Sequence, residues 1–349
     1  MTTDHLSQGL RTTAIVVGPS GHGVVRHALS VAEAVGVPVV RRHRPPNPAR
    51  FARVGHTGSN LHWHFTDRLF GVSADAAAKR FTALVDGLPS CSVVTLHDVP
   101  DPDGTAHSGR RIAAFERVVA AADAVVVSSE HEADRLHRAG IEVAADVIPL
   151  PIANTRLTPP PPAHPRHSPV VGVLGFVYPG KGHDDVIDAV GTVRSTGLAQ
   201  LRVQALGTAS AGHADLVAAL HRRAAGIGCP FTVTGHLSDA ALSAALCRVD
   251  VPVVPARAVS ASASLTAWIG AGRRPLVARN GYTEEIARFG DVVTLYDPAR
   301  AGGLAEAITW AAADPARTWR RAPIPAALTV AAVGEAHRRL FARLEGVTC

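Results

Sequence analysis

The sequence predicts an α/β protein made of two doubly wound parallel-sheet domains. Three observations carry that expectation. Short β-branched runs alternate with Ala-rich helical stretches, the pattern of strands covered on both faces and joined by crossover helices. The alternation runs twice, with a proline-rich break between the two passes. A chain of 349 residues also exceeds what one ordinary core organises.

In the first pass the strands read "TAIVVG" (13–18), "VPVVR" (37–41), "SNLHWHF" (59–65), "SVVTLHD" (92–98) and "DAVVVSS" (123–129). Each is short, apolar and bounded by turn residues. Residues 149–169, "PLPIANTRLTPPPPAHPRHSP", then interrupt the pattern. Four consecutive prolines at 159–162 cannot continue a helix or a central strand, so this reads as a stiffened linker. The second pass reads "PVVGVLGF" (169–176), "LRVQALG" (201–207), "FTVTG" (231–235), "VDVPVVPA" (249–256), "RPLVARN" (274–280) and "VVTLY" (292–296). "AVGEAHRRLFARLEG" reads as a closing amphipathic helix. The expected organisation is a first Rossmann-like domain over 1–155, a linker over 156–168 and a second domain over 169–325. A C-terminal helix over 326–349 is expected to pack back towards the first domain.

Composition narrows the partners. The chain is 47% hydrophobic and 18% charged, which is globular rather than disordered. Its net charge of +6 favours acidic small molecules or anionic surfaces. The basic residues are mostly scattered arginines, and no Lys/Arg run is interleaved with aromatics, so nucleic acid is not expected. No apolar run reaches about 18 residues, and the N-terminus has no charged-then-apolar signal pattern. The expected location is cytoplasmic, with peripheral contact at the inner face of the membrane left open.

In open parallel sheets ligands bind beyond the carboxyl ends of the strands, and two such domains predict an interdomain cleft. After the first strand comes "GPSGHG" (18–23), where Gly21 and Gly23 let backbone N–H groups approach an anion at a helix start. A tight strand–helix turn is the plainer alternative, and the spacing is not the dinucleotide fingerprint GxGxxG. After the third, His62 and His64 share one face of a strand. A metal would need a third ligand and an organising carboxylate, and no such set is visible in the sequence, so no metal is expected. One cleft-lining and one packed histidine is the commoner outcome. After the fourth, His97 ends a buried strand and Asp98 follows, where an imidazole can meet a substrate hydroxyl.

In the second domain, "GFVYPGKGHDDVIDAV" (175–190) sets Lys181 between glycines at a strand–helix junction. A compact ammonium there suits phosphate charge. His236 and Leu237 follow "FTVTG", where a backbone end could meet a base edge or simply turn. In "AVSASASLTAWIGAGRRPLVA" (258–278), Ser260, Ser262 and Ser264 read as short hydroxyl donors at a helix N-terminus, and nothing in the stretch is acidic. Arg273 or Arg274 would add positive charge or solvate a turn.

These segments, in this order, resemble a GT-B glycosyltransferase, similar to the family 4 retaining enzymes. The matching stretches are "GPSGHG", "VVTLHDVP", "DAVVVSSEHEADRLHRAG", "VIPLPI", "GFVYPGKG", "VTGHLSDAALSAALCRVDVPVVPA", "GAGRRPLVA" and "NGYTEEIARFGDVVTLYDP", spanning most of 13–300. The resemblance implies two Rossmann-like domains, a nucleotide sugar bound mainly by the second, and transfer with retention and no obligatory cofactor or metal. It implies that Gly175 and Lys181 meet the donor diphosphate, that His236 and Leu237 meet the base, and that the helix start at Ser260, Ser262, Ala263 and Ser264 holds the diphosphate. His97 would lie beside the transferred sugar, and Gly21 with His22 would border phosphate and acceptor. His62, His64 and Asp98 would face the acceptor, an oligosaccharide or glycolipid. GDP-mannose is the first expected donor and a UDP-sugar the second.

Two departures stand out. The family pairs an Arg with the lysine, and Phe176 and Tyr178 occupy the candidate places here. The family also carries two glutamates eight residues apart, at positions that are here Val259 and Ala267, or Ser260 and Trp268. The expected function is retaining hexosyl transfer, mannosyl first. The alternative is a degenerate relative that binds a glycan or partner enzyme without turnover.

Overall fold

The computed structural model describes residues 10–52, 60–104, 106–153, 168–198 and 200–345. The proline run at 159–162, and all but one residue of the expected 156–168 linker, lie outside these. The chain forms two compact units, Met1–Pro151 with Ala326–Cys349, and Ile152–Pro325.

The first unit holds six strands: β1 (Thr12–Val17), β2 (Val39–Arg42), β3 (Asn60–Phe65), β4 (Ser92–Leu96), β5 (Ala124–Val127) and β6 (Asp146–Val147). They pair in parallel in the order β2-β1-β3-β4-β5-β6. Its crossover helices are α1 (Gly23–Val35), α2 (Pro48–Ala52), α3 (Asp67–Phe70), α4 (Ala74–Val85), α5 (Ala106–Ala120) and α6 (Glu130–Arg138). Sheet order reverses between β1 and β3, the switch point where open α/β sheets receive ligands. Strand β3 has the period-two alternation of a fully covered strand. Leu61, Trp63 and Phe65 pack with Phe70, Phe81 and Phe115 in one core cluster. His62 and His64 alternate with them and so face the other side of the sheet, that of α1.

The second unit repeats the plan with strands β7 (Val170–Leu174), β8 (Arg202–Leu206), β9 (Phe231–Val233), β10 (Val251–Val254), β11 (Leu276–Ala278) and β12 (Thr294–Tyr296). Their order is β12-β11-β10-β7-β8-β9, all parallel, with the switch point between β7 and β10. Its helices are α7 (His183–Ser195), α8 (Ala214–Gly226), α9 (Asp239–Arg248), α10 (Ala263–Gly270), α11 (Gly281–Arg288) and α12 (Gly303–Ala313). The core is almost wholly aliphatic, with Val171, Val173, Val186, Ile187, Val190, Val203, Val251, Val253 and Leu276 buried together.

The last helix, α13 (Val330–Glu345), belongs to the first unit and packs along α1. Gly334 permits the approach, since a Cβ there would lie 2.9 Å from the Ala34 carbonyl oxygen. Arg338 ties the two helices by donating to the Val35 carbonyl at 3.1 Å. No helix among the described residues is long and apolar enough to cross a membrane.

Candidate functional site

The second unit's switch point gathers the residues that sequence reading singled out for phosphate. Lys181 sits on the loop from β7 to α7, and α10 follows β10, the neighbouring strand. Ser262 caps α10, accepting from the Leu265 N–H at 3.2 Å. Its Oγ lies 3.1 Å from Ser264 Oγ, and Lys181 Nζ donates to Ser264 Oγ at 3.1 Å. A relay thus runs from an ammonium through two hydroxyls to the first turn of a helix. Neither the relay nor that first turn contains an acid.

Lys181 is 7% exposed, and among the described residues no carboxylate pairs with it. Burial alone pulls its pKa from the usual range down to about 8. A buried cation without a counter-ion costs free energy unless an anion completes it. The backbone makes room for it. Gly175 has φ +117°, and a Cβ there would lie 3.4 Å from Lys181 Nζ. Gly182, at φ +86°, starts α7 where a Cβ would press to 2.9 Å on Pro255. Next to Lys181, His183 is buried with neither ring nitrogen hydrogen-bonded among the described residues. Burial, reinforced by the Lys181 charge, lowers its pKa to about 4, so the ring is neutral at pH 7. Sequence reading passed over this histidine, although it directly follows the glycine after the lysine.

The remaining expectations for this unit divide. Ser260 is buried close before the cap. His236 is exposed and Leu237 half-buried, beyond β9 at the sheet edge, two strands from β7 or roughly 10 Å at normal strand spacing. Phe176 and Tyr178 are exposed side chains that supply no cation. Arg273 and Arg274 do not add charge to the site. Arg273 is fully enclosed, donating to the carbonyls of Leu246, Val249, Asp250 and Thr318 and to Thr318 Oγ1, with its guanidinium 4.1 Å from the Trp319 ring centre. Arg274 pairs with Asp291 at 2.6 Å.

In the first unit, Gly21 is exposed and His22 caps α1, its Nδ1 accepting from the Val24 N–H at 3.3 Å. His97, at the end of β4, is buried, and burial lowers its pKa to about 4 against the opposing pull of Asp98. Asp98 is a non-glycine residue at positive φ (+55°), with its carboxylate accepting from Thr66 Oγ1 at 3.1 Å. His62 departs from expectation. It is 0% exposed, its Nε2 lies 2.8 Å from Thr95 Oγ1, and its ring packs on His337 and Phe341. His62 is therefore a core residue under α13, not an acceptor contact. His64 is also buried, and its Nδ1 lies 3.1 Å from His97 Nε2. His27 on α1 closes on both, with ring centres 5.4 and 5.3 Å away. Sequence reading found no third ligand for the β3 histidines. The fold brings His97 and His27 to His64 from a loop and a helix, separations that no local spacing reveals.

Solved structures carry the same fold. The chain is similar to HepE from Anabaena in complex with UDP-glucose, at 15% identity and a TM-score of 0.72, covering 96% of this chain and 100% of that one. It is also similar to sucrose-phosphate synthase from Thermosynechococcus elongatus, at 16% identity and a TM-score of 0.68, covering 95% and 94%. A third neighbour is OtsA, a trehalose-6-phosphate synthase, at 10% identity and a TM-score of 0.69, covering 97% and 99%. No protein-family model and no curated protein matches the sequence. The two Rossmann-like domains, each with six parallel strands, are those of the GT-B glycosyltransferase fold.

Proposed function

We propose that the chain is a retaining glycosyltransferase, resembling family 4, that moves a hexose from a nucleotide-diphosphate sugar to a saccharide or glycolipid hydroxyl. The observation that carries this reading is Lys181: a buried ammonium with no carboxylate partner among the described residues, donating to Ser264 beside the cap of α10 at a sheet switch point. Lys181, Ser262 and Ser264, with the N–H groups of α10 that begin at Ala263, receive the diphosphate, and Gly175 lets the lysine approach. His236 and Leu237 take the base. His97 and Asp98 serve the transferred sugar and acceptor, and Gly21 with His22 borders them.

The chemistry asks little more of the protein. The departing diphosphate takes the acceptor's proton, so the site's task is to stabilise leaving-group charge and hold the acceptor close. Neutral His97 hydrogen-bonds a sugar hydroxyl without adding charge. The family resemblance put GDP-mannose ahead of a UDP-sugar. HepE was solved with UDP-glucose, which argues for testing UDP-sugars first.

A second reading has its own support: no acid stands between residues 258 and 278, where this family places two. In that reading the chain binds a glycan or partner enzyme without turnover. Calorimetry with UDP-glucose, UDP-N-acetylglucosamine and GDP-mannose, followed by nucleotide release with mixed oligosaccharide acceptors, separates the cases. Binding with turnover is expected. Binding without turnover on every acceptor favours the second reading, and no binding at all removes both the donor site and the transferase.

A further inference from the structure

We propose that His27, His64 and His97 form a binding site for a single divalent transition-metal ion, zinc first, inside the first unit. One ring nitrogen of each lies within 4.8 Å of one from each of the others, converging from α1, β3 and the end of β4. His64 Nδ1 and His97 Nε2 are already 3.1 Å apart. Two imidazole nitrogens bound to one zinc at about 2.1 Å stand roughly 3.4 Å apart in a tetrahedral shell, so the spacing is close and the rings must turn to give up their mutual hydrogen bond. His64 and His97 meet nitrogen to nitrogen, so both rings must turn to aim their lone pairs at a shared ion. His27 stands edge-on to both partners, at 79° and 82°, whereas His64 and His97 lie nearly parallel at 19°.

The second observation is an unused nitrogen. His64 is buried and already spends Nδ1 on His97, yet its Nε2 has no hydrogen-bond partner among the described residues. A buried ring nitrogen without a partner is costly; an ion held at His64 Nε2 would complete that nitrogen, and one held at Nδ1 would replace the His97 hydrogen bond. Imidazole is a preferred ligand for zinc, copper and nickel, and three protein ligands leave a fourth position open. Asp98, next in sequence to His97, lies close enough to raise the His97 pKa and supplies negative charge near the ion. His27 is the least enclosed of the three. The site shares His97 and Asp98 with the proposed acceptor side, so the titration is read with no donor or acceptor present.

The test uses the 349-residue chain, stripped with chelator and dialysed, and titrated with zinc or cobalt chloride alone. One equivalent is expected to bind with submicromolar affinity, and cobalt should give the visible band of a low-coordinate nitrogen site. X-ray absorption at the zinc edge should report about three imidazole nitrogens on the wild-type chain, so the assignment does not depend on any variant folding. His27→Ala should weaken binding by at least about 100-fold, more than loss of an outer hydrogen-bond partner does. His137→Ala, an exposed histidine paired with Glu142, should leave affinity unchanged. Absence of tight binding to the folded wild-type chain would overturn the proposal. So would a zinc shell without three imidazoles, or unchanged affinity in His27→Ala.

Discussion

The two units use nearly one plan and fill it with opposite chemistry. Each has six parallel strands and crossover helices. In the second unit the space beside the central strands is apolar, packed with valine, isoleucine and leucine, and buried Lys181 sits at the carboxyl edge. In the first unit the corresponding space between β3, β4, α1 and α13 holds His27, His62, His64, His97 and His337. Aliphatic packing stabilises through area removed from water and is indifferent to pH. A core of imidazoles is sound only while the rings are neutral. One plan therefore gives the proposed anion holder in one unit and a pH-sensitive core in the other.

Acid should expose the contrast most strongly. Burial, helped by mutual repulsion, holds His27, His62 and His64 well below the ordinary histidine value, with His97 at about 4. The unfolded chain therefore binds more protons than the folded one below about pH 6.5. The stability these groups support is complete above that value and is lost as pH falls towards 4. Hydrogen exchange resolved by segment, on chelator-treated protein, should show β3 and β4 opening at higher pH than β7 and β10, where among the described residues His183 is the buried imidazole. Simultaneous opening of both units would erase the distinction.

The second unit has its own weak point, and it is polar. Arg273→Leu removes a guanidinium that serves four carbonyls and one hydroxyl in a closed space. Each orphaned buried acceptor costs about 1–3 kcal/mol, so a loss above about 3 kcal/mol is expected in the urea transition of this unit. A loss under about 1 kcal/mol would mean that water reaches those carbonyls.

Lys181 joins the second unit to the proposed donor site. Lys181→Ala should weaken donor binding by about 1.5–3 kcal/mol, the range of hydrogen bonds to charged groups. Because its folded pKa is about 8, the ammonium discharges as pH rises through that value, and donor affinity should fall above pH 8. The free protein should respond with the opposite sign. Between pH 8 and about 10.4 the unfolded chain holds more protons, so stability should rise with pH, and Lys181→Met should abolish that rise. The smallest effect expected is from Ser262→Ala, about 1 kcal/mol of stability from loss of the α10 cap. A calorimetric melt reads it, and no change would mean that Ser264 takes over the cap.

Much of the architecture was legible because strand burial writes itself as short β-branched runs. "SVVTLHD" became β4 at Ser92–Leu96 and "PVVGVLGF" became β7 at Val170–Leu174, with residues trimmed at the ends. The two-residue β6 at Asp146–Val147 escaped, being too short to carry a period. Lys181 beside Ser264 was legible because strand–turn–helix junctions place both at carboxyl ends. The role of Arg273 was not, since its partners are main-chain carbonyls that no side-chain pattern announces. The histidine cluster was half legible. Two of its members lie two apart on β3, but His27 and His337 arrive on helices from distant parts of the chain.

The return of α13 sets an order of events during synthesis. The first unit is the earlier to emerge, yet the helix that covers His62 with His337 and Phe341 is translated last, after residues 152–325. At roughly 5–20 residues per second, the imidazole face of β3 stays uncapped on the ribosome for about 10–35 seconds. The second unit suffers no such delay, and it has time to complete its sheet while its elder neighbour waits for a lid. Nascent chains stalled before residue 326 should therefore carry an exposed histidine surface that the released protein hides.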